Sequence, residues 1–141
     1  MKIIESIREY INKCPALEKF NVNVNYLEDD FDSYSIEETP CEPILKRYID
    51  GSTKEQYQFT FSSKEPYSSD VIGNLDNSGF YEDFSNWIET NNKQHILPEL
   101  EKGLESTQIK ILSSPYCVEA TEDKAIYQIQ LNLIYLKKGS R

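Results

Sequence analysis

The run ILKRYIDGSTKEQYQFTF, residues 44–61, carries the clearest fold signal in this chain. Asp50 and Gly51 separate two segments of strand character, Ile44–Ile49 and Lys54–Phe61. An Asp-Gly pair between strand-forming segments is a strong hairpin signal, because glycine accepts a positive φ angle without strain. In the returning arm the aromatic residues fall at every second position, as one face of a strand requires. The run therefore predicts a long β-hairpin that turns at Asp50.

Further strands are predicted on both sides of this hairpin. Alternation of apolar and polar residues predicts the longest strand at Ala125–Leu136 and a short one at Val22–Tyr26. Other short strand segments are predicted at 33–38, 108–112 and 116–120. The polar face of the longest strand carries glutamine and asparagine, so we expect its opposite, apolar face to be the buried one.

Two amphipathic helices complete the predicted elements. Residues 3–14 repeat apolar side chains at three- and four-residue steps, and Pro15 disfavours helical geometry before it. Residues 69–91 predict a second helix, with a break near Ser78-Gly79 because each glycine weakens a helix by about 1 kcal/mol relative to alanine. Strands and helices do not alternate as βαβ units. The sequence predicts a single α+β domain over 1–141, with an antiparallel or mixed sheet, a long β-hairpin and two helices packed on one face.

Charge restricts the classes of function. The 141 residues carry a formal net charge of −9, which argues against a nucleic-acid binder and against docking on an anionic membrane. The C-terminal part is slightly positive and ends in Lys137, Lys138 and Arg141. Such asymmetry is able to guide head-to-tail contact between subunits, but it is more typical of a solvated acidic surface with a loose tail. The acidic run at residues 28–32 is predicted to be a solvated loop.

The residues that carry enzyme chemistry are sparse. His95 is the only histidine, and no nucleophile motif accompanies it. The chain has no Gly-x-Ser-x-Gly elbow, no phosphate loop, no Cys/His cluster at zinc spacing and no calcium loop. The cysteines Cys14, Cys41 and Cys117 stand far apart, so reduced thiols are the default expectation. We expect a non-enzymatic protein without cofactor or metal, although a site built only from carboxylates stays open at this point.

Several ordered segments resemble a known family. The chain resembles the tail terminator, or tail completion, proteins of phages of Gram-positive bacteria and of phage-tail-like particles, which are also described as minor structural proteins. The resemblance lies in SYSIEE at 33–38, EPILKRYIDGS at 42–52, QYQFTF at 56–61, NSGFYEDF at 77–84, WIE at 87–89 and AIYQIQ at 125–130.

The resemblance implies a structural function. Terminators of this family have an α+β fold and assemble as a ring, usually a hexamer, on the last disc of the tail tube. The ring stops tube polymerisation and offers a surface to the head connector, or caps the tube in headless particles such as tail-like bacteriocins. The implied partners are other copies of the chain, the tube protein, a sheath protein where the tail has one, and the head connector. No membrane and no sequence-specific nucleic acid is implied. The implied location is the host cytoplasm during assembly, and then the tail end distal to the baseplate.

A ring requires contacts in which one patch meets a different patch on the neighbour. Long hairpins often project from a small domain and carry contacts, and tyrosine and arginine are favoured there. The hairpin and the polar face of the last strand therefore predict an interface. The predicted interface residues are Lys46, Arg47, Tyr48, Asp50, Gly51, Tyr57, Gln128 and Gln130.

Other interpretations stay open. The alternating apolar pattern favours Tyr57 as a core residue over an interface residue, and Asp50-Gly51 is also explained as the turn that the hairpin needs. A head–tail connector or neck protein would use similar surfaces. A small-ligand-binding regulator would instead need a pocket with convergent polar groups.

Overall fold

The architecture is α+β, as the sequence predicts. A computed structural model describes residues 2–15, 22–24, 33–66, 71–114, 116–120 and 124–139. The predicted acidic loop at 28–32 lies outside the described residues. The described elements are α1 (Ile3–Asn12), β1 (Val22–Val24), β2 (Ser33–Glu38), β3 (Ile44–Arg47), β4 (Thr53–Pro66), α2 (Val71–Gln94), β5 (Leu104–Ile111), β6 (Tyr116–Ala120) and β7 (Lys124–Lys137).

Two long antiparallel strands form the centre of the sheet. β4 pairs with β7 over its full 14 residues, from Thr53 opposite Lys137 to Pro66 opposite Lys124. β2 and β3 flank β4, β5 and β6 flank β7, and β1 adds a parallel pairing at the edge of β2. The predicted hairpin is thus present as β3–β4. Its returning arm does not project, because β7 pairs with it up to the turn.

Each flanking partner of the central pair is an interrupted strand. Pro40 and Pro43 separate β2 from β3, and proline has no N–H to donate to a ladder. The neighbouring backbone groups keep the chain attached to β4, because Thr39 N donates to Gln58 O at 2.8 Å and Gln56 N donates to Pro43 O at 2.8 Å. β2 and β3 therefore follow one line beside β4.

The two helices pack on one face of the sheet and complete the core. The rings of Phe61 on β4 and Phe84 on α2 stack with their centroids 4.8 Å apart. Tyr10 on α1 contacts Trp87 on α2 with centroids 4.8 Å apart. Burial of a large apolar side chain of this kind stabilises the fold by about 1.5–3 kcal/mol. The core-facing residues of the sheet include Ile36, Phe59, Ile129, Leu131 and Leu133.

Several details of α2 and β5 differ from the sequence prediction. The predicted break near Ser78-Gly79 is wrong, because α2 is one continuous helix. It also runs beyond Asn91, whose Nδ2 donates to Tyr10 Oη at 3.2 Å, so the asparagine pair anchors the helix instead of ending it. β5 begins at Leu104, before the predicted start, because a bulge between Ser106 and Gln108 disrupts the alternation that would have revealed it.

Candidate interaction surface

The β3–β4 turn is held by hydrogen bonds within its own residues. Tyr48 N donates to Ser52 O at 2.9 Å, and Gly51 N donates to Tyr48 O at 3.1 Å. Gly51 has a φ angle of 91°, a conformation that side chains with a Cβ rarely adopt. Asp50 Oδ1 accepts from Ser52 Oγ at 2.6 Å and from Ser52 N at 2.9 Å. The Ser52 hydroxyl, followed by its backbone N–H, lowers the pKa of Asp50. The turn therefore presents a fixed carboxylate.

The end of β7 lies directly against this turn. Lys138 N donates to Gly103 O at 2.9 Å, which ties the C-terminal residues to the start of β5. A Cβ atom at Gly139 would lie 2.7 Å from Asp50 O. Only a glycine allows that approach without a shift of the backbone. The turn, the start of β5 and the end of β7 therefore form one continuous surface.

This surface contains an open groove of about 860 Å³, which we call the tip groove. Its apolar lining comes from Tyr48, Ile49, Leu104 and Leu136. Its cationic lining comes from Lys46, Arg47, Lys137 and Lys138, against the carboxylates of Asp50 and Glu105. Ile49 is fully exposed at 103%. An exposed aliphatic side chain beside tyrosine and arginine is typical of a protein–protein contact rather than of a solvated turn.

The structure brings most of the predicted hairpin residues together at the tip groove. Lys46, Arg47, Tyr48 and Asp50 line it. Gly51 shapes the turn beside it, where its Cβ position would lie 3.6 Å from the Gly139 Cα.

Tyr57 lies elsewhere, on the helix-covered face of the sheet. It is partly buried and packs against the core cluster. Burial, followed by the charge of Glu38, raises the pKa of this tyrosine. Because its ring contributes to the core, its position favours the structural interpretation that the sequence left open.

Gln128 and Gln130 lie on the face of the sheet opposite the helices. Tyr116 Oη donates to Gln128 Oε1 at 3.3 Å, and Gln130 Nε2 donates to Tyr116 Oη at 3.1 Å. The strand from Gln130 to Lys137 spans about 23 Å at ~3.3 Å per residue, so the pair lies far from the tip groove. The predicted residues therefore lie in three separate locations: the tip groove, the helix-covered face and the open face of the sheet.

Sequence reasoning missed part of the tip groove. Leu104, Glu105 and Leu136 are far from the hairpin in sequence and reach it only through the pairing of β5 and β7. Ile49 was assigned to a strand arm, whereas β3 ends at Arg47 and leaves Ile49 in the turn. The Lys137-Lys138 pair at the end of the last strand was a sequence signal that could have indicated the cationic lining of the tip groove.

Within the described ranges, no group of three or more His, Cys, Asp or Glu side chains is placed to hold a metal ion. His95 is exposed and has a φ angle of 58° directly after α2. Cys14 is buried and Cys41 is half-buried, and neither forms a disulfide. No helix in the described residues is long and apolar enough to cross a membrane. The tip groove is suited to binding an acidic, partly apolar protein surface.

No family model matches this chain, and no curated protein matches it at a significant level.

Proposed function

We propose that this protein is a tail terminator that assembles as a ring and caps a tail tube. The family it resembles implies a hexameric ring. The ring stops tube polymerisation and offers a surface to a head connector. The observation that carries this proposal is the tip groove, which gathers Lys46, Arg47 and Tyr48 beside the fully exposed Ile49. Arginine and tyrosine around an exposed apolar anchor are the features that dominate protein–protein binding energy.

The charge at the tip groove supports an assembly function. The whole chain is acidic, with a net charge of −9, yet the groove has four cationic side chains against two carboxylates. A local cationic patch on an acidic molecule attracts the acidic surface of another copy, and it directs how the two approach. Self-assembly in one defined orientation is what a ring requires.

The open face of the sheet supports a second contact of the kind a tube cap needs. Gln56, Gln58, Gln128 and Gln130 alternate with core residues along β4 and β7, so a polar surface faces away from the helices, with the charged Glu37 and Lys110 on the strands beside it. The four glutamines at the centre of this face are uncharged, and interface centres are depleted of charge.

A second candidate function rests on the volume of the tip groove. About 860 Å³ falls within the range of small-molecule sites. A ligand-binding regulator would use the four cations to hold an anionic ligand. The groove is open along the turn, however, and its apolar residues include one that is fully exposed, which suits a protein surface better.

The first test is to locate the protein on tail particles. Immunogold electron microscopy with antibody against this chain should label the end of the tail distal to the baseplate. Deletion of the gene should give tails of abnormal, uncontrolled length, whereas loss of a head–tail connector would leave tail length unchanged. Unlabelled particles beside soluble, monomeric protein would contradict the proposal and favour the ligand-binding alternative.

Point variants connect that test to the tip groove. Arg47→Ala and Tyr48→Ala should each fail to restore normal tails in the deletion strain, because they remove the contacts that anchor the ring. Lys2→Ala, which removes an exposed cation beside α1, is the matched control and should restore them. Full restoration by both groove variants would show that the tip groove is not the assembly surface.

A further inference from the structure

The outer edge of β3 is not paired with any strand of the described chain. β2 and β3 lie on the same side of β4, but β1 covers only β2, opposite Tyr34–Ile36. On the far side of the sheet, Asn92 covers the outer edge of β5 at Ile109. β3 thus has an open edge, whereas these positions on β2 and β5 are covered.

This open edge presents backbone groups that are able to pair with another strand. Tyr48 N donates towards β4, to Ser52 O at 2.9 Å, and Arg47 lies opposite Thr53. The backbone N–H and C=O groups of successive residues point to alternate sides of an antiparallel strand, so those of Arg47 point away from β4. An extended segment placed beside β3 is able to exchange hydrogen bonds with them.

Like charges meet across β3 and β4 beside this edge. Lys46 lies directly opposite Lys54, and a pair of like charges in that position is destabilising. Lys46 Nζ lies 5.3 Å from the centroid of the Tyr48 ring, and within the described ranges no ion pair involves Lys46, Arg47 or Lys54. A carboxylate on a strand added beside β3 would lie next to Lys46 and relieve the repulsion.

Two carboxylates near the edge are held by hydroxyl groups of their neighbours. Asp50 accepts from Ser52 Oγ at 2.6 Å, and Glu55 accepts from Thr53 Oγ1 at 2.6 Å. Glu42 precedes β3 and is exposed. The tip groove beside the edge adds two further lysines, so cations are in excess here on a chain that is acidic as a whole. This charge favours an acidic partner.

The same charges disfavour pairing with β3 of a second copy. Antiparallel pairing of two β3 edges would place Lys46 and Arg47 of one copy against those of the other. Edge lysines protect many sheets against aggregation in this way, and short length and a nearby proline act in the same direction. β3 has only four residues and follows Pro43. The edge is therefore selective for a strand that carries acids.

Exposed apolar side chains adjoin the edge. Leu45, Tyr48 and Ile49 are among the exposed large hydrophobic residues of the described chain, and the last two line the tip groove. A strand that pairs with β3 and continues past the turn enters that groove. In strand addition the backbone hydrogen bonds give affinity, and the pockets for side chains give specificity.

We infer that the outer edge of β3 binds an extended acidic segment of a partner protein, which adds a strand to the sheet and places apolar side chains in the tip groove. Lys46 and Arg47 are adjacent, so they pair with carboxylates on the two faces of the added strand. The inference rests on the proposed function only for placing that partner in the tail. The edge contact itself follows from the backbone and the charges of β3.

Fluorescence anisotropy with a labelled peptide of about eight residues, made of glutamate and valine in equal numbers, tests this contact on the full-length chain. The acidic peptide should bind, and a counterpart with lysine in place of glutamate should bind about tenfold or more weakly. N-methylation of every residue keeps the charge of the acidic peptide but removes its N–H donors, so it should weaken binding by a similar factor. Equal binding of the N-methylated peptide would show that charge alone holds it and would overturn strand addition.

Variants locate the binding at β3. Lys46→Ala/Arg47→Ala should weaken binding of the acidic peptide by about tenfold or more. Arg47→Pro also removes the N–H that points away from β4, so it should weaken binding more than Arg47→Ala does. The matched control is Lys2→Ala/Lys13→Ala, which removes two exposed cations at the ends of α1 and should bind like the wild type. Circular dichroism identifies an Arg47→Pro chain that fails to fold, and the N-methylated peptide then tests the edge on the wild-type chain.

The results separate this inference from the proposed function. Absence of binding at millimolar peptide, or unchanged binding by Lys46→Ala/Arg47→Ala, overturns the edge contact. Self-association in sedimentation velocity that the acidic peptide abolishes would place a second copy on the edge and overturn the assignment to another protein. Gold label at the tube end would in each of these cases leave the terminator proposal standing. Peptide binding at β3 together with unlabelled tails would support the edge contact and remove the terminator proposal.

Discussion

Asn92 offers the sharpest test of how α2 is attached to the sheet. Its Nδ2 donates to Ile109 O at 2.7 Å, and its Oδ1 accepts from Ile109 N at 3.0 Å. The side-chain amide thus takes the place of a neighbouring strand at the outer edge of β5. An edge covered in this way is not available to pair with another chain. Asn92→Ala removes both hydrogen bonds and leaves both backbone groups of Ile109 without their partner.

The size of the effect follows from these two contacts. Each lost hydrogen bond that leaves a partly buried group unpaired costs about 1–3 kcal/mol, and solvent access to the edge favours the lower half of that range. Alanine has a higher helix propensity than asparagine, which offsets about 0.5 kcal/mol of this loss. We expect a net loss of about 2–3 kcal/mol in the free energy of unfolding. With an unfolding entropy of about 2.1 cal/mol/K per residue, this lowers Tm by roughly 7–10 °C.

Urea unfolding followed by circular dichroism measures this loss directly. Asn92→Asp keeps the acceptor for Ile109 N but loses the donor to Ile109 O, so it should also destabilise. Asn86→Ala is the matched control, because Asn86 is exposed on the same helix. It should be neutral or slightly stabilising. If Asn92→Ala changes the free energy of unfolding by less than about 0.5 kcal/mol, the amide does not support the edge as described.

Three further predictions concern the core, a tyrosine and the turn. Phe61→Ala should lower the free energy of unfolding by about 3–5 kcal/mol in denaturant titrations, since it empties a buried aromatic cluster. Burial, followed by the charge of Glu55, raises the pKa of Tyr135 to about 12. The unfolded value is about 10, so its stabilisation is complete below that pH and is lost as pH rises through about 12. Tyr135→Phe should therefore reduce the fall in the free energy of unfolding between about pH 9 and pH 12, measured in urea titrations. Gly51→Ala should cost about 1–2 kcal/mol by thermal unfolding, because its positive φ angle strains any Cβ.

Local sequence determined the elements whose signals lie within a few residues. Asp50-Gly51 defined the hairpin turn, and the alternation from Tyr57 to Phe61 identified the core face of β4. The α+β class followed because these periods are properties of short segments. The continuity of α2 did not follow, since Gly73 and Gly79 argue locally against a helix that the complete fold nevertheless maintains.

The sequence by itself predicted only some of the residues that line the tip groove. Lys46, Arg47 and Tyr48 could be proposed from their place beside a turn. Their grouping with Leu104 and Lys137 required the register in which β7 lies between β4 and β5.

Tertiary structure alone decided where the cations of the chain meet. The sequence shows cations near the hairpin and at the C-terminus. It does not show that these two groups meet at one end of the sheet, where they line the tip groove. That arrangement depends on pairing between strands far apart in the chain, and register is a cooperative result of the whole packed core rather than of any local pattern.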